Sequence, residues 1–245
     1  MKDRFSQHAD DYQRYRPTYP EELYTFIFQL LSSREQAWDC GTGNGQVAVK
    51  LAGHFKQVQA TDISAKQLEQ APPLSNISYK VERAEQTSFP DHSFDLITVA
   101  QAIHWFDFER FYKEVKRTLK PQGLFIVMGY GLLRSEDSIN SVIDHFYKNT
   151  IGPHWDKERK YIDESYQTIP FPFQEIKTPT FSHTLEWTLE QFIGYLNTWS
   201  AVKLYEKEKK INPLSFIEKQ LKEKWEDVKG TKKITFPVLL RIGKL

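Results

Sequence analysis

The stretch AWDCGTGNGQVAVKL, Ala37 to Leu51, constrains the fold of this chain more than any other. Gly41, Gly43 and Gly45 follow an apolar run containing Asp39 and precede a helix-like run that starts near Gln46. Glycine reaches positive φ without steric cost and lets a ligand approach the backbone, while a helix N-terminus presents free N–H groups. Strand, glycine turn and helix, in that order, form the cofactor entrance of a parallel α/β sheet.

The surrounding rhythm agrees. From Gln36 to Met128 the pattern alternates: the short apolar runs AWDC, VQATD, ISYKV, DLITV and LFIVMGY are separated by helix-length segments or turns, as in a sheet covered by helices on both faces. LYTFIFQLL (23–31) predicts an N-terminal helix, Ser64 with Gln67 a capping box stopped by Pro72-Pro73, and Asp107 the cap of a helix buried along Phe108, Phe111, Val115 and Leu119. KPQG turns the chain into a fifth strand. Beyond Tyr130, residues 153–180 hold four prolines and read as loop-rich. A Thr188/Gln191 capping box then opens a helix. Leu214, Ile217, Leu221, Trp225 and Val228 mark another, and ITFPVLLRIGKL is the last strand, with Pro237 predicting an edge or a bulge there.

The net charge of +1 gives no field for a polyanion, and the ten basic and six acidic residues between 203 and 233 interleave as a solvated helix surface does, so nucleic acid is not expected as a partner. The single cysteine, Cys40, excludes an intrachain disulfide and a thiolate metal cluster, and the seven histidines show no ligand spacing, so no metal is expected. MKDRFSQHADDY lacks the apolar core of a signal peptide, and no run approaches about 18 apolar residues. A cytoplasmic, monomeric protein without membrane association is the expectation.

Spacing sharpens the ligand. A dinucleotide loop reads G-x-G-x-x-G and seats a pyrophosphate, whereas this loop reads G-x-G-x-G behind an acid. Asp39 would repel a pyrophosphate and suits an ammonium group. Asp62 ends the second strand 23 residues later, where a carboxylate accepts from both hydroxyls of a ribose. An amino-acid tail plus a ribose without phosphates describes S-adenosylmethionine.

The segment Ala37–Tyr130 resembles the class I S-adenosylmethionine-dependent methyltransferases that act on small molecules. WDCGTGNG resembles their first motif, TDIS the ribose motif, RAEQTSFPDHSFDLITVAQAIHWF the adenine-side segment with the fourth strand and its loop, and VKRTLKPQGLFIV the approach to strand five. FSQHADDYQRYRPTYP and WTLEQFIGYLNTWSA with FPVLLRI resemble the subgroup of trans-aconitate methyltransferase-like proteins.

The resemblance implies an α/β, doubly wound, seven-stranded, mostly parallel Rossmann-like sheet. Residues 1–130 would form the cofactor core with an N-terminal arm, 131–233 a helical, loop-rich insertion shaping the acceptor pocket, and 234–245 the last strand. It also implies that Asp39, Gly41, Thr42, Gly43 and Gly45 line the methionine portion, Asp62 the ribose, Ile63, Ala84 and Glu85 the adenine, and Gln101 the sulfonium side. Tyr12 and Arg16 would close over the cofactor.

Methyl transfer from a sulfonium is an in-line displacement in which the protein chiefly aligns the acceptor. His104 in QAIHWF, just past strand four, is the one candidate base or acceptor contact, and Trp105, Phe106, Tyr130 and Trp199 are candidate pocket walls. A base is needed only for a protonated acceptor; a carboxylate needs none. APP (71–73) departs from the Asn/Asp-Pro-Pro-aromatic motif of enzymes that methylate nucleic-acid bases, which speaks against adenine or cytosine as acceptor; the resemblance implies a small-molecule acceptor, such as a carboxylic acid. A non-catalytic cofactor-binding protein and a nicotinamide-dependent oxidoreductase are the rival readings.

Overall fold

The computed structural model describes residues 17–227 and 229–245. Tyr12, Arg16 and Val228 lie outside the described residues. Helix α1 (Glu21–Gln29) buries Leu23, Tyr24, Ile27 and Phe28, the spacing of one helical face. The alternating half follows as β1 (Gln36–Cys40), α2 (Gln46–Ala52), β2 (Gln57–Asp62), α3 (Ala65–Leu68), β3 (Ile77–Val81), β4 (Phe94–Ala100), α4 (Phe108–Thr118) and β5 (Leu119–Tyr130). The remainder holds α5 (Asp137–His145), α6 (Lys160–Asp163), β6 (Gln174–Ile176), β7 (Ser182–Thr188), α7 (Leu189–Asn197), α8 (Ser200–Lys209), α9 (Glu218–Trp225) and β8 (Thr231–Lys244).

The strands form one eight-stranded sheet in the order β3-β2-β1-β4-β5-β8-β6, with β7 also paired to β8. β1 to β5 are mutually parallel and β8 runs antiparallel between β5 and β6. The chain order reverses between β1 and β4, so a crevice opens above the carboxyl ends of those strands. β4 is buried along nearly its whole length, as a central parallel strand must be.

Side chains alternate across the sheet and divide the core. Ala37, Leu96, Leu124 and Ile126 face a cluster with α1, α2 and the C-terminal helices, while Trp38, Ile97, Phe125 and Val127 face a cluster with α4. The first cluster runs unbroken from Leu23 to Trp225, so the segment after Tyr130 shares its core with the sheet.

Local signals are met at most sites. Ser64 caps α3, Asp107 caps α4, and Thr188 with Gln191 forms a complete capping box. KPQG differs from a simple turn: it bulges within β5, since Leu119 pairs with Phe94 and Leu124 with Leu96. The segment 131–233 is not purely helical, because β6 and β7 run along one side of β8 with registers one residue apart. Pro237 is not on an edge. It sits where both neighbours of β8 change register, with its carbonyl accepting from Gly131 N. No helix among the described residues is long and apolar enough to cross a membrane.

Candidate functional site

All three loop glycines adopt the left-handed conformation, at φ 68°, 58° and 82° for Gly41, Gly43 and Gly45. Their surroundings differ. A Cβ on Gly41 would lie 2.7 Å from Ala102 Cβ, and one on Gly45 would lie 2.8 Å from the Tyr79 hydroxyl. A Cβ on Gly43 would meet only Gln67 Oε1, at 3.8 Å. Gly41 and Gly45 are therefore glycines for packing as well as backbone conformation, while Gly43 faces open space.

The loop's amides are already engaged. Gly41 N and Thr42 N donate to Thr61 O at 2.8 and 3.0 Å, and Gly45 N donates to Thr42 O. Gly43 N donates to Asp62 Oδ2 at 3.0 Å, and Ser64 N donates to Asp62 Oδ1 at 2.9 Å. These two bonds fix the carboxylate across the loop mouth. Four donors that a phosphate would need are directed at the protein's own oxygens.

Asp39 lies beneath the loop at 1% exposure. Thr42 Oγ1 donates to its Oδ2 at 2.5 Å and Thr98 Oγ1 to its Oδ1 at 2.8 Å. Burial pushes its carboxyl up to about 6, opposed by those hydroxyls and by the Ala48 amide, with the Asp62 charge adding to the rise. A buried carboxylate held by neutral donors, with a second carboxylate beside it, gives the crevice a negative field.

On the other side of the crevice, Ala84 and Glu85 are buried after β3. Glu85 Oε1 accepts from Asp107 N at 3.2 Å. Its buried Oε2 receives no hydrogen bond among the described residues, although Arg83 Nε stands 3.4 Å away. A buried carboxylate oxygen without a donor is costly and suits an amino group brought by a ligand. Ile63 is half-buried just past β2, between these two acidic sites in the chain.

Gln101, at φ 55°, turns the chain sharply after β4 and donates from Nε2 to Tyr130 O at 3.1 Å, which ties the ends of β4 and β5 together. The next turn, Ile103–Trp105, carries His104. The His104 ring is 6% exposed, lies 4.9 Å from Trp105 and stacks on Tyr166 at 6.2 Å. Burial, helped by the nearby Arg159 guanidinium, pushes its pKa down to about 3, so the ring is neutral. Its Nδ1 has no partner among the described residues.

The four candidate pocket walls divide. Trp105 stands beside His104. Phe106 packs toward Gly41 and against Phe111, behind the glycine loop rather than beside His104. Tyr130 contacts Tyr19 and Phe236 at the end of β5. Trp199 sits in a cluster with Tyr147 and Trp155, and Arg159 lies over the Trp155 ring at 4.6 Å.

Three contributors are missed by the sequence reading. Thr98 is a polar residue inside the apolar run DLITV, a legible signal of a buried partner. Arg159 and Tyr166 lie in the loop-rich stretch, where no periodicity announces them. Tyr166 takes φ 60°, strained for an aromatic residue, and fills the space left by Gly129, where a Cβ would stand 2.8 Å from its ring. Among the described residues no group of three His, Cys, Asp or Glu is placed to hold a metal ion.

Known proteins resemble this chain in sequence and in fold. A methyltransferase domain family matches residues 38–127. A Dictyostelium discoideum protein bearing a methyltransferase name is 35% identical over 249 residues, covering 99% of this chain and 95% of its own. A ubiquinone/menaquinone biosynthesis C-methyltransferase of Rickettsia bellii is 32% identical over 137 residues, 50% of this chain and 53% of its own. A solved structure from Anaeromyxobacter dehalogenans, described as a type II methyltransferase, is similar at TM-score 0.88 and 35% identity, over 94% of this chain and 98% of its own.

Proposed function

The chain belongs to the class I S-adenosylmethionine-dependent methyltransferases, and from that premise we propose that it binds S-adenosylmethionine above β1, β2 and β4 and methylates a small-molecule carboxylate on oxygen. The observation that carries this reading is the engagement of the glycine-loop amides with Thr61 O, Thr42 O and Asp62. Such a loop offers a ligand carboxylates and open space over Gly43, not a phosphate cradle. It favours a ligand with a cationic amino-acid tail over a dinucleotide.

The residues fit that cofactor. Asp39 would stabilise the ammonium through its charge, Asp62 would accept from the ribose, and Glu85 Oε2 has an acceptor position for an amino group at the adenine edge. When bound, S-adenosylmethionine supplies a methyl group already activated on a sulfonium. An acceptor oxygen held in line with that methyl group would take it in a single displacement, the electron pair of the C–S bond going to sulfur. The chain's own task is to hold the acceptor in line and to exclude water.

His104 fits an acceptor that needs no deprotonation, of which a carboxylate is one. A general base is most effective with a pKa near the working pH, and burial has taken this imidazole to about 3. Its neutral ring is suited to hydrogen-bond an acceptor rather than to remove a proton. An acceptor already ionised at neutral pH needs no such base.

The test is turnover of methyl-labelled cofactor with a panel of carboxylic acids, phenols and amines, in the wild type and in His104→Gln. Label is expected in base-labile methyl esters, with a His104→Gln rate within about tenfold of wild type. Label only in phenols or amines, or a loss of roughly 100- to 10,000-fold in His104→Gln, would overturn the proposal, since that is the range a general base contributes.

A further inference from the structure

The two Nη groups of Arg159 meet no acceptor among the described residues. Arg159 Nε donates to the Tyr147 hydroxyl at 2.7 Å, and that hydroxyl donates to Asp163 Oδ1 at 2.5 Å. Asp163 Oδ1 itself stands 3.4 Å from Nε. The plane of the guanidinium is held by Trp155 at 4.6 Å and Tyr147 at 5.4 Å. One edge of the group is therefore anchored, while neither Nη donates a hydrogen bond to any described residue. The side chain is only 19% exposed, so the fork is not simply dissolved in bulk water.

The neighbours repeat the pattern. The Trp155 indole Nε1 is buried and has no acceptor among the described residues, and the buried His104 Nδ1 has no partner either. The turn that carries Arg159, Lys157–Arg159, packs on the turn that carries His104, and the guanidinium is near enough to lower the His104 pKa. The Trp155 N–H and the Arg159 Nη groups are thus donors without an acceptor among the described residues. Asp163 lies on the Nε edge and leaves the Nη edge positive.

We propose that Arg159 is the specificity-determining residue of the acceptor pocket, binding a carboxylate of the acceptor through its two Nη groups beside the Trp155 N–H. A planar guanidinium with its orientation fixed by stacking matches a carboxylate bidentately, which a lysine does not. The assignment rests on the methyl-transfer reading for the word acceptor, but the anion site stands on its own geometry.

The experiment titrates the full-length protein, alone and saturated with S-adenosylhomocysteine, with succinate and benzoate and with their methyl esters. Quenching of tryptophan fluorescence reports the site, because Trp155 stacks on the guanidinium. The expected result is that at least one carboxylate binds and that Arg159→Gln weakens it by roughly tenfold or more. Arg159→Lys should recover only part of that loss. S-adenosylhomocysteine affinity and the binding of the neutral esters should stay within about twofold, which a general loss of structure would not allow. Carboxylate affinity equal in wild type and Arg159→Gln, or no carboxylate binding to wild type, would overturn the proposal. Failure of S-adenosylhomocysteine to bind wild type, with the anion response intact, would instead remove the methyl-transfer reading and leave the anion site.

Discussion

Among single residues, the site is organised by carboxylates with unequal environments. Asp39 is buried among neutral donors, so its ionised form opposes folding. The folded carboxyl is raised to about 6, above its ordinary range. Asp39 therefore favours the fold at low pH, below that ordinary range, and loses this contribution as pH rises through about 6. Asp39→Asn should abolish the loss of stability that Asp39 causes between about pH 4 and pH 7, up to about 3 kcal/mol, the free energy that such a rise in pKa represents. The same change should weaken S-adenosylhomocysteine, whose ammonium favours the ionised acid. In the wild type that affinity should fall as pH drops below about 6, and calorimetry at pH 5 and 7 checks the slope. Asp39, Asp62, Glu85 and His104 were legible because each stands at or just beyond the end of an apolar run. Arg159 and Tyr166 were not, since the chain reaches the site through turns that carry no hydrophobic period.

Elements explain why the glycines are not equivalent. Gly41 is pressed by Ala102 from the loop after β4, Gly45 caps α2 beneath Tyr79, and Gly43 alone faces open space. Gly43→Ala should cost only the strain of a left-handed alanine, about 1–2 kcal/mol, and still weaken S-adenosylhomocysteine by the methyl it places in the crevice. Gly41→Ala adds a clash with Ala102 Cβ to the same strain and should lower Tm further. Comparing the two melting curves, each with and without S-adenosylhomocysteine, separates the roles. Equal melting losses would refute the assignment. The elements of the first half were readable because apolar runs alternate with capped helices there. β7 alternates exposed Ser182, Thr184 and Glu186 with His183, Leu185 and Trp187, but its inward face is only weakly apolar, since Leu185 and His183 are half-buried and only Trp187 is buried, and β6 is three residues long.

For the whole molecule, β8 joins the two halves of the sheet, and Arg241 on it fixes the loop behind His104. Its guanidinium donates to Tyr166 O at 3.1 Å and Ile169 O at 2.8 Å, and pairs with both oxygens of Glu175. Arg241→Met leaves those carbonyls without this donor and should cost roughly 2–4 kcal/mol in denaturant unfolding. Glu175→Gln, at a half-exposed site, should cost under about 1 kcal/mol. This cross-link was hidden in the sequence, since 66 residues separate its charged partners. The methyl-transfer reading depends on the glycine loop and its two acids seating an amino-acid-bearing nucleoside. Calorimetric titration of wild type and Asp62→Ala with S-adenosylhomocysteine, alongside NADH, puts that seat to the test. One S-adenosylhomocysteine should bind per chain, weakened at least roughly tenfold in Asp62→Ala, and NADH should not bind. Equal S-adenosylhomocysteine affinity in the two proteins, or binding of NADH in its place, would contradict it.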